Sequence, residues 1–83
     1  MGWVMDESGE RIVYIPLEKS AYAFSFRVQE QVIEGVVYSF SNTDWRVITS
    51  DGYQSSRHFT RAAALLTLSK HYKLGKYAES KQE

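Results

Sequence analysis

Tyr22, Phe24, Phe26 and Val28 alternate with Ala23, Ser25 and Arg27, a period of two that predicts a strand with one large apolar face. Gln29-Glu30-Gln31 predicts a turn into a second strand, where Val36, Tyr38 and Phe40 repeat the pattern and define its apolar side. Upstream, the segments 3–5 and 11–15 flank Asp6-Glu7-Ser8-Gly9 and predict another hairpin, whose second strand Pro16 ends or places at an edge. Ser41-Asn42-Thr43-Asp44 has loop composition.

The hairpin from Trp45 to Phe59 can be registered by argument. A two-residue Asp51-Gly52 loop would set Arg46 across from Arg57 and split the aromatics between faces. A three-residue Ser50-Asp51-Gly52 loop, with Gly52 left-handed, instead puts Trp45, Val47, Tyr53 and Phe59 on one face. The second register is expected. Its outward face then shows Arg46, Ile48, Gln54, Ser56 and His58.

Thr60 suits a helix N-cap, and Arg61-Ala62-Ala63-Ala64-Leu65-Leu66 has high helix propensity. Leu65, Leu68 and Tyr72, joined by Ala64, form a stripe that would lie on the sheet, and Gly75 suits the helix end. The fold class expected is α+β: an antiparallel β-meander of four to six strands with one C-terminal helix packed on one face. One proline and no linker composition leave a single compact domain over 1–75, followed by a frayed polar tail over 76–83.

At 83 residues there is room for one core, and 43% hydrophobic composition can fill it. The absence of cysteine excludes a disulfide framework and a thiolate zinc site, and suits a reducing cytoplasm. No stretch has the form of a signal peptide or a membrane span, so a soluble cytoplasmic protein is expected. Charge changes the picture more. The first 44 residues carry three basic and seven acidic side chains, whereas 45–77 carries six of the ten Lys/Arg, both histidines and one acid, Asp51. That asymmetry is a cue for nucleic acid or another polyanion.

The candidate anion-binding residues are Arg46, Arg57, His58, Arg61, Lys70 and Lys73. Arg57, His58 and Arg61 surround a helix start, where free N–H groups and the helix dipole favour an anion, with Ser55, Ser56 and Thr60 nearby. Solvated side chains whose stems cover aromatics are the plainer account of them. Lys70, His71, Lys73 and Lys76 suit a helix C-terminus through the dipole alone. Trp45, Tyr53, Phe59, Tyr72 and Tyr77 interleave the cations, as in single-strand binders, although the register sends several of these rings inward.

Metal and catalytic signals are poor. His58 and His71 lack ligand spacing, and no glycine-rich phosphate loop exists, Gly35 marking a bulge or close packing instead. Ser55, Ser56, His58 and Asp51 lack the pocket and oriented base of a triad. The carboxylate pairs Asp6 with Glu7 and Glu30 with Glu34 fall at turns or exposed positions and read as solvated. Asp6, Glu7, Glu10, Glu18, Glu30 and Glu34 make an ordinary soluble surface or a negative patch that could mimic nucleic acid or meet a basic protein. No cofactor, no metal and no enzyme activity are expected.

The order Trp45-x-Val47, Asp51-Gly52, Phe59-Thr60-x-x-Ala63 is similar in rhythm to hairpin-then-helix units of small phage and bacterial domains. The sheet-then-helix order is also similar to that of integrase arm-type DNA-binding domains, none of whose defining motifs is present. Two functions are therefore expected to compete. One is a non-catalytic module gripping DNA or RNA through a basic hairpin–helix surface. The other is an accessory or inhibitor of the mobile-element type that docks on a larger protein, and exposed sheet edges also suit a homodimer.

Overall fold

The computed structural model describes residues 1–75, with side chains through Tyr72. The tail over 76–83 and the side chain of Lys73 lie outside the described residues. Five antiparallel strands follow one another in space as in sequence: β1 (Gly2–Met5), β2 (Arg11–Glu18), β3 (Ala21–Val28), β4 (Gln31–Ser41) and β5 (Asp44–Thr49). After an irregular segment comes helix α1 (Arg61–Ser69), which widens into a π-helical stretch over Lys70–Gly75. The expected meander with one C-terminal helix is the fold.

The turns are set locally. Asp6 is buried rather than exposed, because its Oδ1 accepts from the Ser8 and Glu10 backbone N–H groups, both at 2.9 Å, and from Ser8 Oγ at 2.7 Å. β3 and β4 meet through Gln29 and Glu30, with Gln29 in the left-handed region at φ 56°. Pro16 sits inside β2, opposite Tyr22. The Asp6 N–H donates to Glu10 O at 2.9 Å, which makes that pair a hydrogen-bonded one. By alternation Val4/Ile12 and Gly2/Tyr14 are hydrogen-bonded too, so Pro16 turns its missing N–H to the side where β1 has already ended.

The core is one-sided. Ile12, Phe24, Phe26, Val28, Ile33, Val37 and Val47 pack beneath Ala64, Leu65, Leu68 and Tyr72, the stripe expected of the helix. Thr60 caps α1 through its hydroxyl, which accepts from the Ala63 N–H at 3.0 Å. The helix packs on β4, β5 and also β1. In a flat sheet β1 and β5 would stand about 19 Å apart. A helix is only about 10–12 Å across with its side chains, so it reaches both edges because the sheet curls around it. The opposite face is therefore convex.

Two expectations about faces are corrected. On β4 the buried residues are Ile33 and Val37, while Val36, Tyr38 and Phe40 lie on the opposite, convex face. The core positions between and beyond them hold Gly35 and Ser39, so the side with the fuller apolar pattern is the outer one. Gly35 does mark close packing. A methyl group there would overlap the Ile48 carbonyl oxygen and lie 2.8 Å from Thr49 Cα.

The second correction concerns the stretch after β5. The three-residue turn forms as expected: Gly52 is left-handed at φ 102°, the Thr49 N–H donates to Tyr53 O at 2.9 Å, and Ile48 faces Gln54. Four residues later the register has slipped by one, since Trp45 pairs with His58. Ser55 accounts for the slip. Its Oγ, rather than a carbonyl, accepts the Val47 N–H at 2.9 Å, so the backbone advances one residue. His58 is thereby turned to the helix side and Phe59 is thrown out, 68% exposed, instead of joining the core.

Candidate interaction surfaces

The five cationic candidates with described side chains do not all share one surface. Arg46 lies on the convex face of β5, where its Nε and an Nη donate to the two carboxylate oxygens of Asp44 at 2.9 and 3.2 Å. That hydrogen bonding holds the guanidinium above its ordinary pKa. The slipped register brings Arg57 beside Arg46, the like-charge neighbour that the expected register avoided. The clash is relieved because Arg46 is neutralised by Asp44, whereas Arg57 donates to Thr43 O at 3.1 Å and stacks over Phe59.

Arg61 is committed elsewhere. Its guanidinium lies 4.5 and 4.7 Å from the ring centres of Tyr14 and Tyr22, and donates to the Tyr14 hydroxyl at 3.0 Å. Thus the cation at the helix start serves the fold, clamping α1 to β2 and β3. His58 is half-buried, and its Nε2 has no hydrogen-bond partner among the described residues. Lys70 is exposed at the far end of α1. Lys73 has no described side chain.

Of the five interleaved aromatics, Trp45, Tyr53 and Tyr72 pack on or in the core. Tyr53 stacks on His71 at 3.8 Å, and Tyr72 reaches the turn after β5, where its hydroxyl donates to Asp51 Oδ1 at 2.7 Å and lies 3.1 Å from Thr49 Oγ1. Burial pushes the Tyr72 phenol up to about 12, and the neighbouring carboxylate adds to it. Thr49 Oγ1 also donates to Asp51, so that turn is a closed hydrogen-bonded knot with a structural role. Ser55 is likewise spent on the backbone. Tyr77 lies outside the described residues.

What the alternation of β4 concealed is the convex face itself. Along one row across it stand Ile15, Ala23, Val36 and Ile48, each paired with the next. Trp3 and Val13 adjoin that row on one side, and Tyr38 and Phe40 on the other. Phe40 is 69% exposed, and Trp3, Ile15 and Ile48 are each more than 40% exposed, so no described element covers the row. Arginines stand at its margins: Arg11 stacks on Trp3 at 4.5 Å, Arg46 on Phe40 at 5.1 Å, and Arg27 is exposed at the end of β3. Among the described residues there is no cluster of three potential metal ligands, and no helix is long and apolar enough to cross a membrane.

No family model, curated protein or solved structure matches this chain.

Proposed function

We propose that this protein is a non-catalytic interaction module that docks on a larger protein through the convex face of its sheet. One observation carries the reading: the uncovered row Ile15–Ala23–Val36–Ile48, extended by Trp3, Tyr38 and Phe40. Contiguous apolar surface of this kind mostly marks binding sites, with Trp, Tyr and Arg as favoured anchors. Its curvature suits a concave partner better than a second copy, because two convex faces meet only along a ridge. Charge on this face is mixed. Arg11 and Arg27 stand against Glu18 and Glu34 while Arg46 is paired with Asp44, so a partner cleft that is apolar inside and carries both signs at its rim is complementary.

Cross-linking in a nuclease-treated host lysate tests this with three chains: the natural one, Ile48→Asp, and a control substitution on the opposite side, Ala62→Asp. A protein bound by the natural chain and the control, and lost with Ile48→Asp, is expected. Retention of the same protein by Ile48→Asp would remove the convex face from the account.

A second reading, capture of nucleic acid, draws on Phe40 and Phe59, two strongly exposed rings with Arg46 and Arg57 each 5.1 Å above them. Ring and guanidinium pairs of this sort stack bases. Fluorescence anisotropy with single-stranded DNA and RNA at low salt decides it: binding must weaken steeply with salt and fall on Phe40→Ala. An unchanged anisotropy at low salt ends that reading.

A further inference from the structure

β1 is an open edge. It comes first in the strand order, and no strand lies on its far side among the described residues. The same alternation that explains Pro16 decides which groups face outward. Gly2, Val4 and Asp6 bond to β2, so Trp3 and Met5 direct their N–H and C=O groups away from the sheet. The strand from Gly2 to Met5 also carries none of the charges or prolines that usually protect an edge.

At the end of this edge lies a cleft of about 340 Å³. Met5, the last residue of β1, forms one wall with Asp6 and Glu7, while Ala63, Leu66 and Thr67 of α1 form the floor and His58 closes the other side. His58 belongs to the segment hydrogen-bonded to the outside of β5, so the two edges of the curled sheet face each other across α1. The curled sheet leaves a gap between its two edges, and the gap has an apolar floor. Clefts that hold ligands run from roughly 300 to 1,000 Å³.

We infer that this cleft is a strand-addition site for an extended peptide segment of a partner protein. The segment pairs with the outward N–H and C=O groups of Trp3 and Met5, and sends alternate apolar side chains down onto Ala63 and Leu66. Charge fixes its end. Lys70 and Glu7 both border the cleft and make no ion pair among the described residues, so the segment carries an acid toward Lys70 and a base toward Glu7. Backbone pairing supplies the affinity and the cleft selects the side chains. The site uses the backbone of Trp3, whose ring adjoins the convex row, and Met5→Pro and Ile48→Asp test the two surfaces one at a time.

The test pans a phage-displayed library of short random peptides against the full chain, then measures the enriched peptides by titration. Enriched sequences alternate apolar and polar residues, and in the natural chain they slow amide hydrogen exchange at Trp3 and Met5. Met5→Ala removes only a side chain, whereas Met5→Pro also removes the outward N–H and leaves the β2 pairing intact. Met5→Pro is expected to bind roughly fivefold or more weakly than Met5→Ala, the worth of one backbone hydrogen bond. No enrichment over the starting library overturns the inference, as does equal binding by the two variants or unchanged exchange at Trp3 and Met5. Concentration-dependent dimerisation of the free chain that Met5→Pro abolishes would assign the edge to a second copy and overturn it as well.

Discussion

The Tyr72 hydroxyl donates to Asp51 Oδ1 at 2.7 Å, tying the π-helical stretch after α1 to the turn that follows β5. The two residues are 21 positions apart, so this bond holds the helix across the sheet rather than shaping either element locally. Tyr72→Phe keeps the buried ring and removes the donor. Asp51 retains Thr49 as a partner, so the expected loss is about 1–2 kcal/mol, read from urea denaturation at neutral pH.

Burial of the Tyr72 hydroxyl, with Asp51 beside it, also has a pH signature. Tyr72 titrates near 12 when folded and, like any tyrosine, near 10 when unfolded. Between those values the native state keeps a proton that the unfolded state has released. The stabilisation is thus complete below about pH 10 and is lost as the pH rises toward about 12. Denaturation midpoints across that range should fall more steeply for the natural chain than for Tyr72→Phe, and parallel profiles would contradict the assignment.

Gly35 is required by proximity rather than by its backbone angle. Gly35→Ala drives a methyl into the Ile48 carbonyl, which is backbone and cannot rotate away. A loss of at least ~2 kcal/mol is expected in thermal or chemical unfolding, with β4 and β5 forced apart. Gln29→Gly should act in the opposite direction. It removes the strain of a left-handed non-glycine residue in the β3–β4 turn and should raise stability by roughly 0.5–1 kcal/mol.

Val36 and Val37 are adjacent yet lie on opposite faces. Val37→Thr buries a hydroxyl in the core and should cost about 1–3 kcal/mol, whereas Val36→Thr should change stability by less than ~0.5 kcal/mol. Two unfolding curves therefore check the orientation of β4 and, with it, the identity of the convex face. Equal losses would place both residues in the core and dissolve the proposed docking row.

Local pattern was enough for most of the architecture. The alternation from Tyr22 to Val28, the Ser50-Asp51-Gly52 turn and the Thr60 cap with its Ala64, Leu65, Leu68, Tyr72 stripe were all legible, because each depends on neighbours a few residues apart. The orientation of β4 was not. Its core positions include Gly35, which must be small for the backbone of β5 to approach, and Ser39, so the larger side chains fell on the wrong side of the count. Fates of the basic residues were hidden for a similar reason. Composition put Arg46, Arg57 and Arg61 in one half of the chain, but tertiary partners divided them: Asp44 neutralises the first, Thr43 and Phe59 hold the second, and Tyr14 and Tyr22 take the third. Periodicity determines which residues can share a face, since it follows from the geometry of one element. Which face meets the helix, and which cations stay free, depends on contacts between elements far apart in the chain, and only the folded arrangement decides those.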